Sequence, residues 1–252
     1  MAAKRATSAK TLRTSGMEKR AATASRAAAA RIQFHAATPE RWADVESLFG
    51  PRGACAGCWC QWPRLRGPDF SRGKGEPHRR ALKRQVADGS EPGIIGYVDG
   101  APAAWCALAP RGAYPRITNS RLFADEAPDP RTWSVVCFFV ARQHRGQRLT
   151  VRLLDAAAAH AKRNGARLLE GYPVDSGARR VADAFVWTGL ASAFIAAGFT
   201  EVARPSPTRP LMHRLLGRAS APKTAVASRP SRASKASKTS RATTPAKGSA
   251  RG

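Results

Sequence analysis

The sequence has no apolar run long enough to cross a bilayer and no apolar segment behind its basic start, so neither membrane insertion nor secretion is expected. Acid is scarce: 17 Asp and Glu stand against 43 Lys and Arg, for a net charge of +26. Aromatic residues are absent from both ends of the chain, which therefore cannot assemble a packed core. Cysteine is sparse and odd in number, at five, which argues against a disulfide framework and for a reducing, cytoplasmic setting. The five histidines are scattered and propose neither a triad nor a metal centre.

What the ends do contain is positive charge. Residues 1–31 carry eight Lys and Arg with one Glu; residues 218–252 carry nine and no acid. Both are expected to be disordered basic tails flanking one domain over 32–217. Spaced cations on a flexible chain bind phosphate backbones without sequence preference, so non-specific nucleic acid is an expected partner. A merely solubilising tail fits equally well. The N-terminal stretch also has the composition of an organelle transit peptide, although the far end shares its bias.

Between the tails the pattern is that of packed elements. A strand is expected at Ile32–His35 and a helix over Ala37–Gly50, where Trp42, Val45, Leu48 and Phe49 fall at helical spacing. "PRGACAGCWCQWPRLRGPDF" is expected to be a loop, and "EPHRRALKRQVADGS" a second helix. Asp99-Gly100 between two apolar runs is a strong hairpin signal. "TWSVVCFFVAR" reads as a strand buried on both faces, and from Leu149 the positions Leu153, Leu154, Ala157, Ala158 and Ala161 mark one helix face that closes at Asn164-Gly165. "ARLLEGYPVD" is a further strand, "VWTGLASAFIAAGF" a short helix and "PLMHRLL" a last strand. A helix between Val140 and Leu168 requires a parallel crossover there, while the hairpin is antiparallel. The fold class is thus α/β, with a mixed, mostly antiparallel central sheet, helices on both faces and one parallel strand pair.

The stretch "FFVARQHRGQRLTVRLL" joins a buried strand to a helix start through a basic loop, an arrangement that suits an anion. Read as Arg145-Gly146-Gln147-Arg148-Leu149-Thr150-Val151-Arg152-Leu153-Leu154, and taken with the order of elements around it, it resembles the signature of the GNAT superfamily of acyl-CoA N-acyltransferases. "FIAAGFTEVAR" resembles a segment that closes many members, with Phe194 where a tyrosine is usual. The "GCWC" loop, "EGYPVD" and "SPTRP" resemble a Cys-rich subgroup. The likeness runs from about Ile32 to Leu216, and it implies a parallel pair that splays to admit the cofactor.

The resemblance implies an acetyl-CoA-dependent N-acetyltransferase, with acetyl-CoA as co-substrate and a small-molecule or protein amine as acceptor. Phe139, Val140, Arg145, Gly146, Gln147, Arg148 and Thr150 would bind the cofactor, its pyrophosphate on the loop and its carbonyl against a backbone N–H near Phe139 and Val140. Arg148 replaces the signature's middle glycine; were that position to need a positive φ, the arginine would cost about 1–2 kcal/mol. Glu170 is the expected base, or else a structural carboxylate paired with an arginine, with Asp175 a weaker candidate. Since Phe194 has no proton to give, Tyr172 is the expected acid, with Thr188, Ser192 or solvent as substitutes. Trp59 and Trp62 would line the acceptor site, where an aromatic wall suits an apolar or cationic amine, or would simply be core. Cys55, Cys58 and Cys60 lack the second ligand pair that structural zinc needs, and no metal site is expected. The competing expectation is a catalytically impaired domain of this kind serving as a basic nucleic-acid-associated protein.

Overall fold

The computed structural model describes residues 30–123, 129–177, 181–182 and 185–217. The stretches read as tails lie outside them, apart from residues 30 and 31. The strands are β1 (Ile32–Ala36), β2 (Gly93–Val98), β3 (Ala101–Pro110), β4 (Thr132–Val140), β5 (Leu168–Gly171), β6 (Thr200–Ser206) and β7 (Arg209–Leu215). The helices are α1 (Trp42–Phe49), α2 (Gly67–Gly73), α3 (Glu76–Ala87), α4 (Pro115–Thr118), α5 (Leu149–Arg163) and α6 (Ala191–Ala196).

All seven strands form one sheet in the order β1-β2-β3-β4-β5-β7-β6. Among the described strands only β4 and β5 pair in parallel, joined by the α5 crossover. The hairpin turns where expected: Asp99 and Gly100 both take left-handed φ, 50° and 84°, as a tight two-residue turn requires. Alanines on the buried face of α5 let it pack closely on one side of the sheet, against Leu108, Val135, Phe138 and Leu169. On the other side α1 and α3 cover Ile95, Trp105 and Val136 with Trp42, Val45, Leu82 and Val86. Because both faces are covered, β4 is apolar along nearly its whole length. Among the described residues no helix is long and apolar enough to cross a membrane.

A bulge in β4 resets its alternation. Ala107 pairs with Cys137 but Leu108 pairs with Val135, which leaves Val136 extra. Val136 and Cys137 therefore face the α1 side together, and Phe138 returns to the α5 side with Val135.

Several elements differ from the sequence expectation. β6 is a strand that the apolar pattern does not announce; it lies at the sheet edge with its first five residues exposed, so nothing demands alternation. The loop after α1 holds the short helix α2, anchored by Phe70 alone. The helix expected over "VWTGLASAFIAAGF" shrinks to Ala191–Ala196, because the residues before it form a turn, in which Gly189 N–H donates to Val186 O at 2.8 Å, and are tied to Phe138 and Val174.

Candidate active site

β4 and β5 are paired only from Thr132–Val135 with Leu168–Gly171, and then part. The segment Trp187–Leu190 sits between the diverging arms. Phe138 N–H donates to Trp187 O at 2.7 Å, Val174 N–H to Gly189 O at 2.8 Å, and Ala191 N–H to Val174 O at 2.9 Å. Beside this wedge a cavity of about 720 Å³ opens between the end of β4, the loop after it, the first turn of α5, and α6.

The cofactor residues expected from sequence converge on that cavity. Phe139, Val140, Arg145, Gly146, Arg148 and Thr150 all line it. Gln147 does not; its amide reaches back to Gln143 O at 3.5 Å. Arg145 Nε donates to Val140 O at 3.1 Å, which ties the loop to the strand end. Arg148 is the N-cap of α5 at φ 57° and ψ 22°, a left-handed conformation, so the arginine does carry the backbone cost that glycine would avoid. Its side chain is exposed, and no side-chain cap closes the helix start. The first N–H groups of α5, which helix geometry leaves without carbonyl partners, therefore face a rim carrying Arg145 and Arg148.

Strand alternation decides which backbone amide can meet a carbonyl in the splay. Ala141 N–H donates to Ala103 O on β3, and Phe138 N–H points the opposite way, to Trp187. Phe139 N–H therefore faces β3 and only Val140 N–H is turned toward the splay. Of the two residues expected to supply the donor, Val140 is the one oriented for it.

Glu170 is completely buried and lines neither this cavity nor the smaller one described next. Its Oε1 accepts from Ser134 Oγ at 2.6 Å and from the Tyr172 hydroxyl; its Oε2 lies 3.4 Å from Arg111 Nη1 and 3.7 Å from His213 Nε2. The arginine pairing weighed as the alternative for Glu170 is therefore present. Tyr172 stands in front of it and lines a second cavity of about 220 Å³ with Trp62, Arg116, Thr188 and Arg209. Burial, then the neighbouring Glu170 charge, holds the Tyr172 phenol proton well above its ordinary range. Trp187 forms part of the wall of both cavities.

Other expectations are sorted by position. Trp59 is a core residue, 3% exposed and packed on Trp42 and Phe49, and does not line the smaller cavity. Trp62 does line it. Cys60 Sγ lies 3.6 Å from Cys137 Sγ on β4, while Cys55 lines the large cavity. Among the described residues no three His, Cys, Asp or Glu side chains are grouped to hold a metal. Burial pushes the Cys58 thiol up to about 11 and raises the Cys106 thiol as well; Cys60 is raised first by its contact with Cys137. Phe194 is fully buried between Phe138 and Phe199, whereas Ser192 on the same helix lines the large cavity. Thr188 Oγ1 accepts from Arg209, and Asp175 is ion-paired with Arg204 at 2.9 Å.

Sequence reasoning passed over Arg111, Ser134, Trp187, Arg116, Arg209 and His213. The only sign of Ser134 was a hydroxyl in an otherwise apolar strand. Two residues of "VWTG", Trp187 and Thr188, were read as helix, which hid the wedge.

A family model described as "Acetyltransferase (GNAT) family" matches residues 59–184, starting just after Cys55 and Cys58. No curated protein matches the chain. Among solved structures, the PaiA N-acetyltransferase of Thermoplasma acidophilum in complex with coenzyme A is 11% identical; 73% of this chain and 99% of that one are covered, with TM-score 0.43. A GNAT-family acetyltransferase of Streptococcus pneumoniae is 15% identical over 74% and 100% of the two chains, with TM-score 0.43. The aminoglycoside acetyltransferase AAC(6')-Ib with coenzyme A and kanamycin is 15% identical over 73% and 95%, with TM-score 0.44.

Proposed function

The chain belongs to the GNAT acetyltransferase family, and from that premise we propose that it transfers an acetyl group directly from acetyl-CoA to an amine. The observation that carries this reading is the pair of cavities that meet at Trp187. One is framed by a helix N-terminus and arginines; the other is lined by Tyr172, whose hydroxyl is bonded to the buried Glu170.

The cofactor fits the larger cavity by chemistry. Its pyrophosphate would take the first-turn N–H groups of α5 with Arg145 and Arg148, and its acyl arm the apolar end of β4. When bound, it supplies the activated thioester. Val140 N–H is the donor turned toward the developing oxyanion.

On the acceptor side, Tyr172 is the group that meets the amine and Glu170 acts through it. The ammonium proton passes to the Tyr172 oxygen as the phenol proton moves to Glu170 Oε1. The amine nitrogen would then form its bond to the thioester carbon as the C–S bond breaks, and the second proton that the nitrogen releases as the amide forms would go to the thiolate, on the side of the cavity that Ser192 lines.

On the same reading, residues 32–217 are the catalytic domain, and the basic stretches at 1–31 and 218–252 add salt-sensitive contacts to nucleic acid without taking part in transfer. Calorimetry of the full chain with acetyl-CoA at high salt, which suppresses polycation binding, tests the core of the proposal. Stoichiometric binding competed by desulfo-CoA, together with thiol release on adding amines, is the expected result. Binding no tighter than that of an unrelated polyphosphate overturns it.

A further inference from the structure

The acceptor-side cavity is lined by two arginines whose charge nothing described in the structure balances. Arg116, on α4, lays its guanidinium 3.5 Å over the centroid of the Trp62 ring. Its Nε donates to Leu65 O at 2.7 Å, while its Nη2 is buried without a hydrogen-bond partner. Arg209, at the start of β7, donates from Nη1 to the Thr188 hydroxyl at 2.9 Å. Among the described residues neither guanidinium has an ion-pair partner, and no acidic side chain lines the cavity. The nearest carboxylate, Glu170, lies behind Tyr172 and is engaged by Arg111.

Burying an arginine's N–H groups without a partner is costly unless something arrives to pair with them. Guanidinium groups recognise carboxylates through paired, charge-assisted hydrogen bonds. The Trp62 ring face, where the sequence reading would have stacked a cationic amine, is already taken by Arg116. A polycationic acceptor would thus meet two fixed positive charges and no described negative one. The cavity, at about 220 Å³, is also small for a multi-ring amine.

We propose that the acceptor is a small amine of amino-acid size bearing a carboxylate, which Arg116 and Arg209 bind while its amino group is presented to Tyr172. This rests on the acetyltransferase reading above and adds the substrate class. The two arginines act in binding and orientation; the reaction remains acetyl transfer to nitrogen, with the balance already given.

The test compares amino acids with their decarboxylated counterparts, phenylalanine with phenethylamine and lysine with cadaverine, as acceptors for the full chain at saturating acetyl-CoA. Each pair keeps the amine and changes only the anion. The expected result is a preference of about 10- to 100-fold in kcat/KM for the carboxylate-bearing member, the range of a charge-assisted contact. In Arg209→Gln the preference falls toward parity through a higher KM for the amino acid, with the variant's acetyl-CoA affinity by calorimetry serving as the folding control. Equal or better transfer to the decarboxylated amines overturns the assignment, as does acetyl-CoA binding with no transfer to any carboxylate-bearing amine. Failure to bind acetyl-CoA at all, read by calorimetry, instead overturns the acetyltransferase reading on which it rests.

Discussion

Ser134 donates its hydroxyl to Glu170 Oε1 at 2.6 Å, and the same two residues are Cα partners in the parallel β4–β5 pair. The pairing one step before its end at Val135 and Gly171 is thereby fixed by side chains as well as backbone, with Tyr172 locked to the same oxygen two residues further on. Glu170→Gln replaces a full acceptor with an amide that must also donate, and removes the charge facing Arg111. Breaking a buried pair from one side costs about 3–5 kcal/mol. The expected outcome is a loss of that order in chemical denaturation together with loss of acetyl transfer; an unchanged denaturation midpoint would mean Arg111 is held by other groups.

Tyr172→Phe separates catalysis from stability. The ring stays against Phe123, and Glu170 keeps Ser134 and Arg111. Stability should fall by about 1 kcal/mol, the worth of one hydrogen bond. Turnover should fall by about 10²- to 10⁴-fold, with KM for acetyl-CoA little altered. Steady-state kinetics that show an unaltered kcat would remove Tyr172 from the proton path.

The left-handed N-cap makes a prediction of opposite sign. Arg148 sits at φ 57°, where a side chain costs about 1–2 kcal/mol, and glycine would recover part of that against its greater freedom in the unfolded chain. Arg148→Gly is expected to be as stable as the parent or up to about 1 kcal/mol more so, measured by urea denaturation. Acetyl-CoA affinity should fall and lose some of its salt dependence, because a phosphate contact goes with the guanidinium. A clear destabilisation would show that the side chain does more for the fold than its exposed position implies.

The fold was largely legible because its signals are local or periodic. The Asp99-Gly100 turn, the spacing along α5 and the long apolar run of β4 each translate directly into structure. The strand, loop and helix start around Arg145 and Arg148 were legible for the same reason, since they are contiguous. The lining of the smaller cavity was not. Arg116, Arg209, Tyr172 and Trp62 come from separated stretches and meet only through the sheet order and the turn at Val186–Gly189. Trp59 and Trp62 stand three residues apart in the same loop, yet one is core and the other lines a cavity. Left-handed φ at Trp59 and Cys60, which no residue type announces, turns the chain between them.

Acid stability should carry the mark of two histidines. His78 and His160 are both buried, and burial lowers the pKa of each below the ordinary 6.5. Asn164 Nδ2 donates to His160 Nε2 at 3.2 Å, which requires that nitrogen to be unprotonated, and the nearby Glu91 carboxylate offsets the burial only in part. The folded protein therefore refuses protons that the unfolded chain accepts below about pH 6.5. Stability should be level above that pH and should fall as pH drops through it toward the lowered folded values, by up to about 1.4 kcal/mol per pH unit for each histidine. This window lies above that of the surface carboxylates Asp88, Asp129 and Asp175, whose ordinary pKa is 3.8 and whose folded values are lower still. Denaturation measured from pH 8 down to about pH 5 should show the decline, and His160→Gln should remove about half of its slope. A profile that stays level to pH 5, or a variant with the parent's slope, would place the acid sensitivity elsewhere.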